Sequence, residues 1–262
     1  MRRLQPTVTS PPVLFVHIMK TGGTTVVRNL RETYALDEIY PRSTLDLQHD
    51  AQGGLDLEHH LSVPYLLTLP EQRRRTIRVY TGHFPYVVRE LLAMELRATT
   101  VLRDPVDRTV SMLHQLRRAQ PWEEGTGPRP RAERGLEELY EDPSVFGPLL
   151  LNHQTKVLSM VPADEPQTYK DVIHVDEARL QRAKQALEEM DLVGTTEHLS
   201  AYLAATETTF GWKVVKGARK NVTPDGDRVP VDAAFRQRIA DDNAFDVELH
   251  RHALDLVAKR SR

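Results

Sequence analysis

Short apolar runs and helical patterns alternate along the chain, and this alternation limits the fold more than any other feature. Residues 13–17 (VLFVH), 77–81 (IRVYT), 99–102 (TTVL) and 191–195 (DLVGT) are short and rich in β-branched or aromatic residues, which is typical of buried strands. Strands that alternate with helices favour a parallel sheet covered on both faces. We therefore expect an α/β fold, a three-layer α/β/α arrangement with a central parallel sheet and a helical C-terminal part.

The segments between the strands are less uniform. Asp104, Pro105 and Asp107 mark a helix start, because they supply an N-cap, a first-turn proline and a first-turn negative charge. Residues 41–75 show no clear period, and we expect loop with short helices there. The remaining expected elements are helical segments around 146–160, 176–190, 197–210 and 231–258, the last as one helix or a pair, with a long loop at 212–230.

We expect one domain over residues 1–262, with a flexible N-terminus at 1–12 and a mobile loop in the Pro- and Gly-rich stretch 121–135. The formal net charge is -2, so no global positive field would recruit nucleic acid or an anionic membrane. The chain contains no cysteine, which excludes disulfides and thiolate metal sites. No apolar run has the length of a membrane span and no signal peptide is evident, so we expect a cytoplasmic protein.

The first strand ends in a cluster that is suited to oxyanions. Its members are Lys20, Thr21, Gly22, Gly23, Thr24 and Thr25. The glycines let backbone N–H groups point at one spot, the next helix adds its positive end, and the threonines and the lysine add donors and charge. The glycines follow the lysine, so this is not a Walker A loop. The alternative is an ordinary strand-to-helix turn with an exposed lysine.

The other two strand ends carry an arginine and a histidine. Arg103 stands before a helix N-terminus and could form a second anion site, or instead pair with Asp104 or Asp107. His83 follows a strand and a glycine, where a neutral imidazole could take a proton from a hydroxyl group; a lone histidine is more often structural or simply exposed. We find no set of histidines with metal-ligand spacing, so no metal is expected. Because ligands bind beyond the carboxyl ends of parallel strands, the three clusters should converge on one rim.

Together, these residues resemble a known family. HIMKTGGTT (17–25), TGHFPY (81–86), VLRDPVDRTVSMLHQL (101–116) and NHQTKVLS (152–159) resemble, in the same order, segments of the carbohydrate-type sulfotransferases, relatives of the heparan sulfate 2-O- and 6-O-sulfotransferases. The resemblance spans roughly residues 13–225 and implies a P-loop-like version of the fold. The absence of cysteines and of a membrane anchor favours a bacterial member.

The resemblance also implies chemistry. The family uses 3′-phosphoadenosine 5′-phosphosulfate (PAPS) as donor and releases adenosine 3′,5′-bisphosphate (PAP), with a saccharide or small-molecule hydroxyl as acceptor. The loop from Lys20 to Thr25 would grip the 5′-phosphosulfate, and Lys20 would neutralise the leaving oxygen. Arg103 and Ser111 would hold the 3′-phosphate, and His83 would be the general base.

Some assignments stay open at the level of the sequence. Met19 stands where the family often has proline, and we expect that its side chain need not touch the donor. A basic segment with Lys216, Arg219 and Lys220 could close over the nucleotide or be a solvated loop. The acceptor should contact residues 41–75 and 121–135. His153 and Trp122 are further candidates for this contact.

Two other functions compete with sulfuryl transfer. An ATP-dependent small-molecule kinase is disfavoured by the loop order and by the lack of a clear Mg²⁺-binding carboxylate at a strand end, although Asp104 could be argued for. A non-catalytic nucleotide-binding module is disfavoured because binding alone would not need His83 beside Lys20.

Overall fold

The computed structural model describes residues 10–41, 63–118, 131–165, 167–215 and 230–260, and the structural statements below concern these residues. They form an all-parallel five-stranded sheet in the order β2-β3-β1-β4-β5. The strands are β1 (Val13–Val16), β2 (Ile39–Tyr40), β3 (Val79–Tyr80), β4 (Arg97–Leu102) and β5 (Leu192–Thr195).

Helices lie around this sheet and make up most of the C-terminal part. Their bounds are α1 (Gly23–Thr33), α2 (Val63–Thr68), α3 (Glu71–Thr76), α4 (Val88–Leu91), α5 (Pro105–Arg117), α6 (Leu136–Glu141), α7 (Pro143–Val145), α8 (His153–Ser159), α9 (Glu177–Glu189), α10 (Leu199–Phe210), α11 (Ala233–Asp242) and α12 (Ala244–Arg260). None of the helices described is long and apolar enough to cross a membrane.

The side chains of β1 show why the molecule has three layers. Successive strand residues point to opposite faces of a sheet. Leu14 and Val16 belong to a core cluster with residues of α9 and α12, whereas Phe15 belongs to a second cluster with residues of α1 and α10. Because both faces are covered, all four residues of β1 are buried. The expected three-layer α/β fold with a central parallel sheet is confirmed.

Most expected elements are present, with local differences. The strand β2 was not expected, because two residues show no alternation pattern, and β4 begins two residues before the predicted start. The segment at 146–160 is interrupted: a π-helical turn covers Phe146–Leu150, and α8 begins only after Asn152, which has a φ of 42°. The helical pattern at 231–258 divides into the pair α11 and α12. The predicted flexible N-terminus and mobile loop lie mainly outside the described residues.

The C-terminal helices are joined to the rest of the protein by a buried carboxylate. Asp246 of α12 accepts hydrogen bonds from the backbone N–H groups of Gln154 (3.1 Å) and Thr155 (2.8 Å) at the start of α8, and from the Thr155 hydroxyl (2.8 Å). The backbone N–H of Asp246 in turn donates to the Asn152 side chain at 3.1 Å. This carboxylate therefore satisfies N–H groups that an isolated helix would leave without partners.

Replacing Asp246 with alanine should destabilise the fold. The substitution leaves two buried backbone N–H groups unsatisfied, and each such group costs about 1–3 kcal/mol. We expect Asp246→Ala to lower the free energy of unfolding by about 2–4 kcal/mol, measured by urea denaturation. Asp255→Ala, on an exposed position of the same helix, is the matched control. Equal effects of the two substitutions would contradict the role given to Asp246.

Candidate functional site

A cavity of about 540 Å³ lies beyond the carboxyl ends of the strands. Loops that follow β1, β3, β4 and β5 form its wall together with the start of α1 and part of α5. Of the residues singled out from the sequence, those in the wall are Lys20, Gly22, Gly23, Thr24, Thr25, His83, Arg103 and Ser111. The three strand-end clusters are thus brought together at one rim.

The first loop reaches its shape through left-handed backbone positions. Lys20 has a φ of 70° and Gly22 a φ of 86°, a region that the Cβ atom of an L-residue disfavours and glycine tolerates. Helix α1 begins at Gly23, and no side chain caps its N-terminus. Its positive end therefore faces the cavity, which favours an anion there.

Thr21 differs from the expectation for this loop. Its side chain is fully buried, and its hydroxyl donates to the Ile18 carbonyl at 2.9 Å, away from the cavity wall. Thr21 therefore holds the turn together and does not present its hydroxyl to a ligand. Met19 is also among the residues that line the cavity, and it is a buried member of a hydrophobic core cluster.

A hydrogen bond to a neutral side chain positions Lys20 at the cavity. Its Nζ donates to Oε1 of Gln115 on α5 at 2.7 Å. Burial, together with the nearby charges of Arg118 and Arg103, lowers the pKa of Lys20 to about 8. The Lys20 ammonium has a neutral amide as its hydrogen-bond acceptor and two guanidinium groups nearby. A negatively charged ligand would therefore stabilise its charged form.

Arg103 faces the cavity, and among the described residues no carboxylate lies at ion-pair distance from it. Its Nη1 donates to the Lys20 carbonyl at 3.2 Å, and within the described residues it forms no ion pair with Asp104 or Asp107. Asp104 instead caps α5 by accepting from the Asp107 N–H (2.9 Å), and Asp107 pairs with Arg236 at 2.8 Å. The alternative in which Arg103 forms a salt bridge with either aspartate is therefore wrong.

Two carboxylates also line this cavity. Asp107 is engaged by Arg236, as described above, and Glu197 lies 3.3 Å from Nε2 of His250 on α12. Hydrogen bonds and the nearby His250 hold the pKa of Glu197 below its usual value although burial opposes this. Both carboxylates therefore have partners from the C-terminal helices, and the Arg236 charge reduces the repulsion between Asp107 and an anion in the cavity.

The His83 ring has a defined orientation. Its Nδ1 lies 2.7 Å from the carbonyl oxygen of His17. A carbonyl can only accept, so Nδ1 carries the proton of the neutral ring and Nε2 has a lone pair. Burial lowers the pKa of His83, partly offset by this hydrogen bond. The imidazole is consequently neutral near pH 7 and able to take a proton at Nε2.

Several other candidates lie elsewhere. His153 is buried, and burial together with Lys156, Arg108 and His83 keeps its pKa well below the usual value; it is not in the cavity wall. Lys216, Arg219, Lys220 and Trp122 lie outside the described residues, as does much of the 41–75 segment. The described residues contain no group of three or more histidines and acidic residues that could hold a metal ion.

Comparisons with known proteins bear on the class of this site. No protein-family model matches the chain. Heparan-sulfate 6-O-sulfotransferase 2 of Gallus gallus is 25% identical over 279 aligned positions, which cover 95% of this chain and 67% of that protein. The chain is similar to a sulfotransferase. The similarity extends over nearly the whole chain and agrees in class with the resemblance of its motifs.

Sequence reasoning missed the role of Gln154. This side chain is fully buried and bonds the Arg103 backbone twice: Oε1 accepts from the Arg103 N–H at 3.0 Å, and Nε2 donates to the Arg103 carbonyl at 2.9 Å. The Gln154 amide thus pairs with the Arg103 backbone in the way a neighbouring β-strand would. This pairing fixes the position of the residue that carries the guanidinium group. The segment NHQTKVLS contained this residue, but only the three-dimensional pairing shows which backbone it holds.

Gln154→Leu should weaken both the fold and the anion site. Leucine keeps the approximate volume but leaves the Arg103 N–H and carbonyl without partners, at a cost of about 2 kcal/mol in the free energy of unfolding. We also expect about tenfold weaker binding of adenosine 3′,5′-bisphosphate, measured by calorimetry, because Arg103 loses its fixed position. Gln181→Leu, at an exposed position of α9, is the control. Identical affinities for the two variants would show that Gln154 does not position the site.

Proposed function

We propose that this protein is a PAPS-dependent O-sulfotransferase, which moves a sulfuryl group from 3′-phosphoadenosine 5′-phosphosulfate to a hydroxyl group of a carbohydrate or natural product. The observation that carries the proposal is the shared cavity of Lys20, His83 and Arg103 at the carboxyl ends of β1, β3 and β4. The similarity to a sulfotransferase supports the same class of reaction.

The residues present fit a donor with two anionic ends. The loop from Lys20 to Thr25 and the uncapped start of α1 would hold the phosphosulfate, with Lys20 at its centre. Arg103, which has no carboxylate partner among the described residues, and Ser111 of α5 would hold the 3′-phosphate. Each of these contacts is a donor to an anion, the kind that positions phosphoryl and sulfuryl groups best.

The same residues provide the proton and charge transfers that the reaction needs. The donor supplies an activated sulfuryl group with a phosphate leaving group. Nε2 of His83 accepts the proton of the acceptor hydroxyl, whose oxygen becomes the nucleophile. Lys20 neutralises the negative charge that builds up on the departing phosphate oxygen. The protein contributes position and charge, which are the main requirements of an in-line displacement.

The acceptor is proposed from the relative alone. Because the chicken protein is named as a heparan-sulfate 6-O-sulfotransferase, heparan sulfate is the first polysaccharide to test, followed by smaller saccharides and alcohols. Transfer of labelled sulfate from the donor to each of these identifies the acceptor class.

The donor assignment predicts a ranking of ligands. Adenosine 3′,5′-bisphosphate should raise the melting temperature more than ATP with Mg²⁺ does, because Arg103 and Ser111 provide a site for a 3′-phosphate. Arg103→Ala should weaken bisphosphate binding by about 2 kcal/mol through the loss of a charge-assisted contact, whereas Arg251→Ala, on the exposed surface of α12, should not. A larger shift with ATP and Mg²⁺ would favour a kinase instead.

The base and the lysine predict a bell-shaped pH profile of kcat/KM. His83 must be neutral, and its pKa lies below 6.5, so the rate should fall only as the pH drops below that value. Lys20 must be protonated, and its pKa of about 8 predicts a second fall as the pH rises through 8. His83→Ala and Lys20→Ala should each abolish transfer.

Lys20→Arg separates the two limbs of this profile. The guanidinium keeps its proton far above pH 8, so the alkaline fall should disappear even if the maximal rate is lower. An unchanged alkaline limb in Lys20→Arg would assign that limb to another group. Near wild-type turnover in His83→Ala would refute the base assignment.

A further inference from the structure

We infer that His17 is a positioning residue for His83: its imidazole packs against the ring of the general base and keeps Nε2 of that ring directed at the acceptor hydroxyl. The inference rests on the proposed function, because it assigns His83 the role of base. It concerns a side chain that the reaction itself does not need as an acid, a base or an anion ligand.

Two contacts from one residue fix the His83 ring. The His17 carbonyl accepts the Nδ1 proton at 2.7 Å, which sets the tautomer. The His17 ring lies 4.4 Å from the His83 ring between centroids, at an interplanar angle of 37°. The hydrogen bond alone leaves the ring able to rock about the Nδ1–oxygen direction. Packing against the His17 ring limits that freedom, and the Tyr169 ring, 5.3 Å away between centroids, adds a contact from another direction.

His17 is itself held tightly enough to act as a support. Its ring stacks on Phe15 of β1 at 5.5 Å between centroids and also has a hydrogen bond to the Thr81 backbone. On another side it lies against the start of α1, where a Cβ on Gly23 would be only 2.0 Å from its Cδ2 and Nε2 atoms. Glycine at position 23 therefore makes the room that this imidazole occupies, and His17 connects the donor loop to the base.

The charge state of His17 suits this role. Burial, followed by the neighbouring His83, keeps the pKa of His17 well below its usual value, although the hydrogen bond to Thr81 opposes this. A neutral ring packs beside His83 without repelling the proton that His83 takes up. A permanently charged side chain at this position would disfavour that uptake.

The test compares His17→Ala and His17→Gln with the wild-type protein. Both variants keep the backbone carbonyl and lose the ring. Glutamine retains much of the side-chain volume, so His17→Gln serves as the test if His17→Ala impairs folding. We expect kcat to fall about 10- to 100-fold, the effect of misplacing a catalytic group by roughly 1 Å. The affinity for adenosine 3′,5′-bisphosphate should change less than about threefold, because the donor contacts remain. His174→Ala, at an exposed histidine, is the control for kcat and should leave it unchanged.

A spectroscopic readout separates positioning from general destabilisation. In protein labelled with ¹⁵N in the histidine rings, His83 of the wild type should show one neutral tautomer with the proton on Nδ1. In both His17 variants this tautomer should persist, because the backbone carbonyl remains, but the ring ¹⁵N signals of His83 should broaden because the ring can rock. This measurement needs no acceptor and no turnover, so it tests the inference even if the wild-type protein fails to transfer sulfate, which would refute the proposed function alone.

Three results would overturn the role of His17. The first is an unchanged kcat in both variants. The second is a set of His83 ring ¹⁵N signals that stay as sharp without the His17 ring as in the wild type. The third is a loss of bisphosphate affinity as large as the loss of kcat, which would show that the ring supports the donor loop and not the base.

Discussion

The site depends on a chain of buried hydrogen bonds that runs from the last helix to the first loop. Asp246 fixes the start of α8, the amide of Gln154 at that start clasps the Arg103 backbone, and the Arg103 guanidinium reaches the Lys20 carbonyl. Elements more than 200 residues apart in the sequence are thus coupled through buried and half-buried polar groups. Such networks are specific in low dielectric, because each missing partner leaves a buried group unsatisfied. The C-terminal helices are therefore part of the site's support.

Local sequence chemistry accounts for much of this arrangement. Apolar runs bounded by turn residues predicted four strands. The carboxyl-end rule for parallel sheets predicted that Lys20, His83 and Arg103 would meet, and all three line one cavity. Asp104 and Pro105 marked the start of α5, because capping and proline geometry are local effects.

The features that escaped prediction depend on tertiary partners. Strand β2 is only two residues long and exists through its pairing with β3. The break at Asn152 exists because Asn243 and Asp246 bond the chain there. The inward turn of the Thr21 hydroxyl and the pairing of Gln154 with Arg103 leave no periodic trace in the sequence. A threonine in such a strand-to-helix loop can equally well bond a ligand or the loop itself, and in this structure the Thr21 hydroxyl bonds the loop.

The electrostatics of the cavity follow from burial and not from net charge. The chain as a whole carries -2, yet Lys20 and Arg103 both have lowered pKa values through burial. Burial and the nearby Arg103 also lower the pKa of the buried Arg108 to about 10, although the Asp246 charge opposes this. Arg108 is held by the carbonyls of Leu149 and Leu150 in the π-helical turn, so its charge stays inside without a carboxylate at contact distance in the described structure. An anion bound among these cations would offset their mutual repulsion and raise their pKa values. The repulsion among these cations destabilises the folded protein. Its relief on binding of an anion would contribute to the affinity for that ligand.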